Sequence, residues 1–137
     1  MIGYLDSSVL MRIVLNQKGR LHEFSKLKRP ISSKVLKTEC LRTLDRARLA
    51  RLLTEKEHYT AVGELYDSMD CIEWIQVSDK VLDKAGSNFA VSLGTLDAIH
   101  LCSAILWREQ TSTDCVFLTH DNTLKKAAIL AGFTVLG

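Results

Sequence analysis

An α/β fold, with a mainly parallel central sheet and helices on both faces, is what this sequence predicts. Three observations carry the expectation. Short apolar runs of strand length (Ile2–Leu5, Ile72–Val77, Cys115–Thr119, Phe133–Leu136) alternate with longer amphipathic stretches, the order that builds a parallel sheet through helical crossovers. Residues able to cap a helix follow several of those runs at once, as at Ser7-Ser8, Ser78 and Asp121. The chain of 137 residues holds one proline and seven glycines, so no linker is evident and a single domain over 1–137 is expected.

The elements follow in order. Ile2–Leu5 is a strand closed by Asp6, and Ser7-Ser8 cap a helix carrying Val9, Leu10, Ile13 and Val14. Residues 17–29 are charged and turn-like, with a short helix over Arg20–Leu27; Pro30–Ser33 is a brief strand and cap. Leu36, Cys40, Leu44 and Ala47 share one face of a helix over Lys34–Leu53. Tyr59, Val62, Leu65, Tyr66 and Met69 form the apolar stripe of another over Thr54–Asp70, wide enough to suggest a protein interface. After the Ile72–Val77 strand, Ser78 caps Asp79–Phe89, and Ser92 or Thr95 opens an apolar helix containing Asp97. Cys115–Thr119 is a buried strand, Asn122–Ala131 a helix stopped by Gly132, and Phe133–Leu136 the last strand.

Composition excludes several classes. Phe89–Trp107, the nearest approach to a membrane span, contains Asp97 and His100, so neither a span nor a membrane partner is expected. No basic segment precedes the first strand, so no signal peptide is expected and a cytoplasmic location is. Cys40, Cys71, Cys102 and Cys115 show no C-x-x-C pair and read as reduced core thiols. There is no glycine-rich phosphate loop of the nucleotide-binding kinds. The net charge of +2 hides an asymmetry, with 12 Lys/Arg against 4 Asp/Glu in residues 1–51. Such clustering reads either as a nucleic-acid footprint or as a solvated helix face.

Two acids are placed unusually. Asp97 is the sole charge between Lys84 and Arg108, and Asp6 the sole charge before Arg12. An isolated buried carboxylate must find a partner, shift its pKa or bind a cation. Glu39 near the start of its helix and Asp121 after the fourth strand complete four acids that a parallel sheet can gather at one edge. Clustered carboxylates repel unless a hard cation offsets them, and an all-oxygen set selects Mg²⁺ or Mn²⁺. Such a cluster suits phosphodiester hydrolysis. Each acid also has a plainer reading: Asp6 and Asp121 as helix caps, Glu39 as a partner of Arg42, and Asp97 as bonded to amides at its helix start.

Four motifs in order carry a resemblance: Y-L-D-S-S-V-L at 4–10, S-S-K-V-L-K-T-E-C-L-R at 32–42, G-T-L-D-A-I-H-L-C-S-A at 94–104 and V-F-L-T-H-D-N-T-L-K-K-A-A at 116–128. Together, over essentially the whole chain, they resemble PIN-domain ribonucleases, specifically the VapC-like toxins of bacterial toxin–antitoxin systems. The resemblance implies a three-layer α/β/α sandwich and a Mg²⁺-dependent endoribonuclease, commonly a homodimer, whose antitoxin occupies the active-site groove. It implies Asp6, Glu39, Asp97 and Asp121 as catalytic and metal-binding acids, supported by Ser8 and Thr119. Many relatives carry a basic residue just before the third acid, where this chain has Gly94-Thr95. RNA phosphate is then left to the basic helix (Lys34, Arg42, Arg46) or to His120. His100 reads as a packed ring rather than a base. The rival reading is a catalytically inactive PIN-like module binding RNA or protein.

Overall fold

The computed structural model describes residues 1–137. Its strands are β1 (Ile2–Leu5), β2 (Arg29–Ser33), β3 (Glu73–Ile75), β4 (Val116–Leu118) and β5 (Val135–Leu136). All neighbours run parallel, in the order β3-β2-β1-β4-β5. The helices are α1 (Ser7–Val14), α2 (Val35–Leu49), α3 (Glu55–Met69), α4 (Asp79–Ala85), α5 (Thr95–Thr111) and α6 (Asn122–Leu130). The three-layer α/β/α sandwich expected from the sequence is present.

Strand alternation sorts the two faces. Leu5 of β1 packs with α1, α2 and α3 through Val9, Leu10, Leu36, Leu44 and Leu65. Tyr4, its neighbour, packs the other way with Ile31, Leu101, Phe117 and Leu124, against α5 and α6. Its ring stacks on Phe117 at 5.0 Å between centroids. Helices α4 and α5 close a smaller cluster around Val81, Ile99 and Leu106. The chain winds outward from β1 to β2 and β3, then returns to β4 on the opposite side. β1 is therefore central, and the sheet reverses winding between β1 and β4. A crevice opens at the carboxyl ends of the strands at such a switch point.

Local signals explain most boundaries. Thr54 and Glu57 form a reciprocal capping box on α3, and the Ser78 side chain caps α4. Gly132, in the left-handed region at φ +84°, ends α6, with Phe133 N–H bonded to Ala128 O. The same motif ends α2 earlier than Leu53, with Arg51 taking the left-handed turn and Leu52 N–H reaching Ala47 O.

Four expectations are corrected. The short helix over 20–27 is a 3₁₀ turn, His22–Lys26. Helix α4 stops at Ala85, where Gly86 and Ser87 close it through bonds to Leu82 and Lys84 carbonyls. The third strand pairs only over Glu73–Ile75, opposite Ile31, Ser32 and Ser33 of β2. Cys71 is exposed, while Cys40, Cys102 and Cys115 are buried; burial pushes the Cys40 thiol up to about 12. No helix is long and apolar enough to cross a membrane.

Candidate active site

Asp6 closes β1 and is 3% exposed, a burial tolerated because donors meet both its oxygens. Oδ1 accepts from the Ser8 N–H at 3.0 Å, the Val9 N–H at 3.4 Å and the Ser8 hydroxyl at 2.6 Å. Oδ2 accepts from the Thr119 hydroxyl at 2.7 Å. The two hydroxyls themselves accept backbone N–H groups, Ser8 from His120 at 2.9 Å and Thr119 from Asp121 at 3.0 Å. Their protons are thus committed to Asp6. A carboxylate oxygen offers about two lone-pair directions, so Oδ1 is saturated and Oδ2 keeps one free. Burial nevertheless raises the Asp6 pKa, against the opposing bonds from Ser8 and Thr119.

Asp97 lies in the first turn of α5, half-buried, and contributes no capping bond there. Its pKa is raised, first by burial, then by the charges of Asp121 and Asp6, with His100 opposing and Glu39 adding to the rise. All four acids therefore share one electrostatic neighbourhood. The plainer readings of Asp6 and Asp121 as caps hold as geometry, since Asp121 Oδ1 accepts the Leu124 N–H at 2.7 Å at the start of α6. They do not hold for Asp97, nor for Glu39. Arg42 pairs with Asp45 one turn on, at 2.9 Å, while Glu39 Oε2 lies 2.5 Å from His100 Nε2.

His100 is 1% exposed, so the packed-ring reading describes its burial but misses its bonding. Its Nδ1 lies 2.9 Å from the Tyr4 hydroxyl, which also accepts the Ser33 N–H at 3.3 Å. Sequence reasoning passed over Tyr4 and this connection. The available signals were a tyrosine in a buried central strand and a histidine one turn beyond Asp97.

The basic residues divide between two surfaces. Arg42 and Arg46 line a groove of about 360 Å³ with Ser7, Thr38, Glu39 and Leu96, so it opens beside the acids. Lys34 lines a different hollow, with Lys37, Tyr66 and Trp74. His120 is partly buried, its Nε2 is enclosed without a partner, and burial and nearby Arg12 lower its pKa.

No three His, Cys, Asp or Glu side chains converge into a ready-made metal cage. The donor set still fits Mg²⁺ in its usual mode, which uses one or two carboxylates, several waters and substrate phosphate. Asp6 supplies one oriented lone pair, and Asp97 a half-buried carboxylate that like charges press upon.

No protein-family model matches the sequence. Over 137 residues the chain is 29% identical to the ribonuclease VapC46 of Mycobacterium tuberculosis, covering 97% of this chain and 95% of that protein. Its fold matches a chain in the crystal structure of VapBC2 from Rickettsia felis bound to a DNA fragment from their promoter. That match has a TM-score of 0.67 at 14% identity and covers 99% of this chain and 98% of the other. Along nearly its whole length the chain is thus similar in sequence to a ribonuclease VapC and shares the fold of a chain in a VapBC complex.

Proposed function

We propose that this protein is a metal-dependent endoribonuclease and the toxin of a toxin–antitoxin pair. The observation that carries the reading is Asp97: a half-buried carboxylate without a capping role, raised in pKa by burial and by the other three acids. Carboxyl groups in settings of this kind concentrate at functional sites. The likeness to a protein named a ribonuclease supports RNA as substrate, and the likeness to a VapBC complex supports an antitoxin partner.

In this reading Asp6 and Asp97 are the primary holders of Mg²⁺ or Mn²⁺, with Glu39 and Asp121 completing or supporting the site. When bound, the ion supplies phosphate polarisation, water activation and leaving-group stabilisation. The chain's own residues prepare the rest. Ser8 and Thr119 lock the Asp6 carboxylate in one rotamer, so its free Oδ2 direction is fixed before any ligand arrives. Arg42 and Arg46 offer the flanking phosphates a cationic wall beside Glu39. Helix α3 contributes Tyr59 and Tyr66 to an exposed face suited to a second copy or to the antitoxin.

Crystals soaked in Mn²⁺ and measured at an anomalous wavelength test the site. The expected peak lies roughly 2.0–2.6 Å from Asp6 and Asp97 oxygens; a peak more than about 5 Å from both would end the assignment. A chelator should abolish RNA cleavage. RNA binding without chelator-sensitive cleavage would instead favour an inactive PIN-like binding module.

A further inference from the structure

Directly behind the acids lies a hydrogen-bonded chain for which the proposed chemistry has no role yet. It runs from the Ser33 N–H to the Tyr4 hydroxyl, from there to His100 Nδ1, and from His100 Nε2 to Glu39. Four elements supply it: the end of β2, the middle of β1, the second turn of α5 and, through Glu39, the early part of α2. Only Glu39, at the far end, reaches the groove.

The direction of the bonds follows from their partners. The Tyr4 oxygen already accepts from the Ser33 amide, so its own proton is free to be donated. The buried Ser103 hydroxyl on the same helix lies near the Tyr4 oxygen but is not aligned for a hydrogen bond, whereas His100 Nδ1 lies 2.9 Å away and is placed to accept that proton. With Nδ1 accepting, a neutral ring carries its hydrogen on Nε2, facing the Glu39 carboxylate at 2.5 Å. The opposite tautomer would set a nitrogen lone pair against a carboxylate oxygen at 2.5 Å. An aliphatic side chain would fill the same space without desolvating two ring nitrogens.

We propose that His100 is a positioning residue: Tyr4 holds it in the Nε2–H form, and it fixes the Glu39 carboxylate at the acidic crevice. The inference rests on the reading of that crevice as a metal site. It explains how an acid on α2, whose rotamer would otherwise be free, is anchored to α5, the helix that carries Asp97. An imidazole whose far nitrogen is fixed by a second group is the usual means of orienting a ligand from behind.

Two substitutions separate the ends of the ring. A glutamine amide nitrogen reaches about as far as Nε2 and keeps a donor for Glu39; an asparagine amide stops near Nδ1 and serves only Tyr4. His100→Asn should weaken Mn²⁺ binding, measured by electron paramagnetic resonance, by about 10- to 100-fold. His100→Gln should recover most of that loss. In the metal-free wild type, ¹⁵N-resolved NMR should show the Nε2–H tautomer, and Tyr4→Phe should yield a mixture. An Nδ1–H ring in the wild type, or equal Mn²⁺ affinity in wild type and His100→Asn, would overturn this inference alone. A wild type that binds no Mn²⁺ would overturn the metal-site reading and this inference with it.

Discussion

Asp97 sets the sharpest test available to one side chain. Its raised pKa means that the folded protein holds a proton more tightly than the unfolded chain does. The contribution of Asp97 to stability without metal should therefore be greatest below the ordinary carboxylate range. It should decline as pH rises from the unfolded to the folded pKa, with Asp6 contributing in the same direction. Asp97→Asn should flatten that decline, keep or raise the metal-free melting temperature, and remove most of the gain on adding Mn²⁺, while abolishing cleavage. A structural cap would behave oppositely, losing on the order of 1 kcal/mol with activity intact. Thermal melts of both proteins over a pH series, with and without metal, decide between them. Asp6 and Asp97 were legible in the sequence because each is a lone charge in an apolar stretch. The tie between Glu39 and His100 was not, because a bond across 61 positions leaves no local pattern in either helix.

Helix α2 shows how one basic stretch can serve two purposes. Arg48 turns away from the groove to Asp45 at 2.8 Å and Glu55 at 3.5 Å, whereas Arg46 reaches no carboxylate and bonds only the Thr43 hydroxyl. Reversing Arg42 and Arg46 to Glu should weaken RNA binding and reduce its salt slope by about 0.7 for each phosphate no longer neutralised. Arg48→Glu should leave affinity and slope unchanged in the same filter-binding series. Helix α3 divides similarly. Leu65 and Met69 of the predicted stripe are buried in the core, but Tyr59 is 82% exposed and Tyr66 44%. Tyr66→Glu should therefore disturb association rather than folding; a light-scattering mass unchanged from wild type, with and without antitoxin, would remove this face from any interface. Composition announced the width of the stripe but not its division, since periodicity cannot say which part of a wide face the neighbouring helix covers. The ends of α2 and α4 were missed for a related reason. Apolar spacing continued past them, and a left-handed arginine carries no reliable signature as a stop.

Across the whole molecule, alternating strands and helices made the layers legible, but not the strand order. Nothing in Ile2–Leu5 marks it as the centre of the sheet beyond its being apolar throughout. That position has a consequence in time, during synthesis. β1 leaves the ribosome before every other strand of the sheet, yet one of its two edges pairs with β4 at Val116–Leu118, and the Asp6–Thr119 bond spans 113 positions. Until residue 119 has emerged, a nascent chain can join β1 to β2 and β3 but cannot finish the crevice. Asp6 then lacks one hydroxyl donor, and Ser8 lacks the amide that directs its proton. Long-range pairing of this kind closes late and leaves a strand edge open meanwhile. Arrest-peptide force measurements on chains of increasing length should show the main folding signal only once β4 has cleared the exit tunnel, and ribosome-bound chains stopped before it should cleave no RNA. On the proposed reading, the nuclease would be inert toward the ribosome making it, because its central strand waits for a partner strand translated long after it.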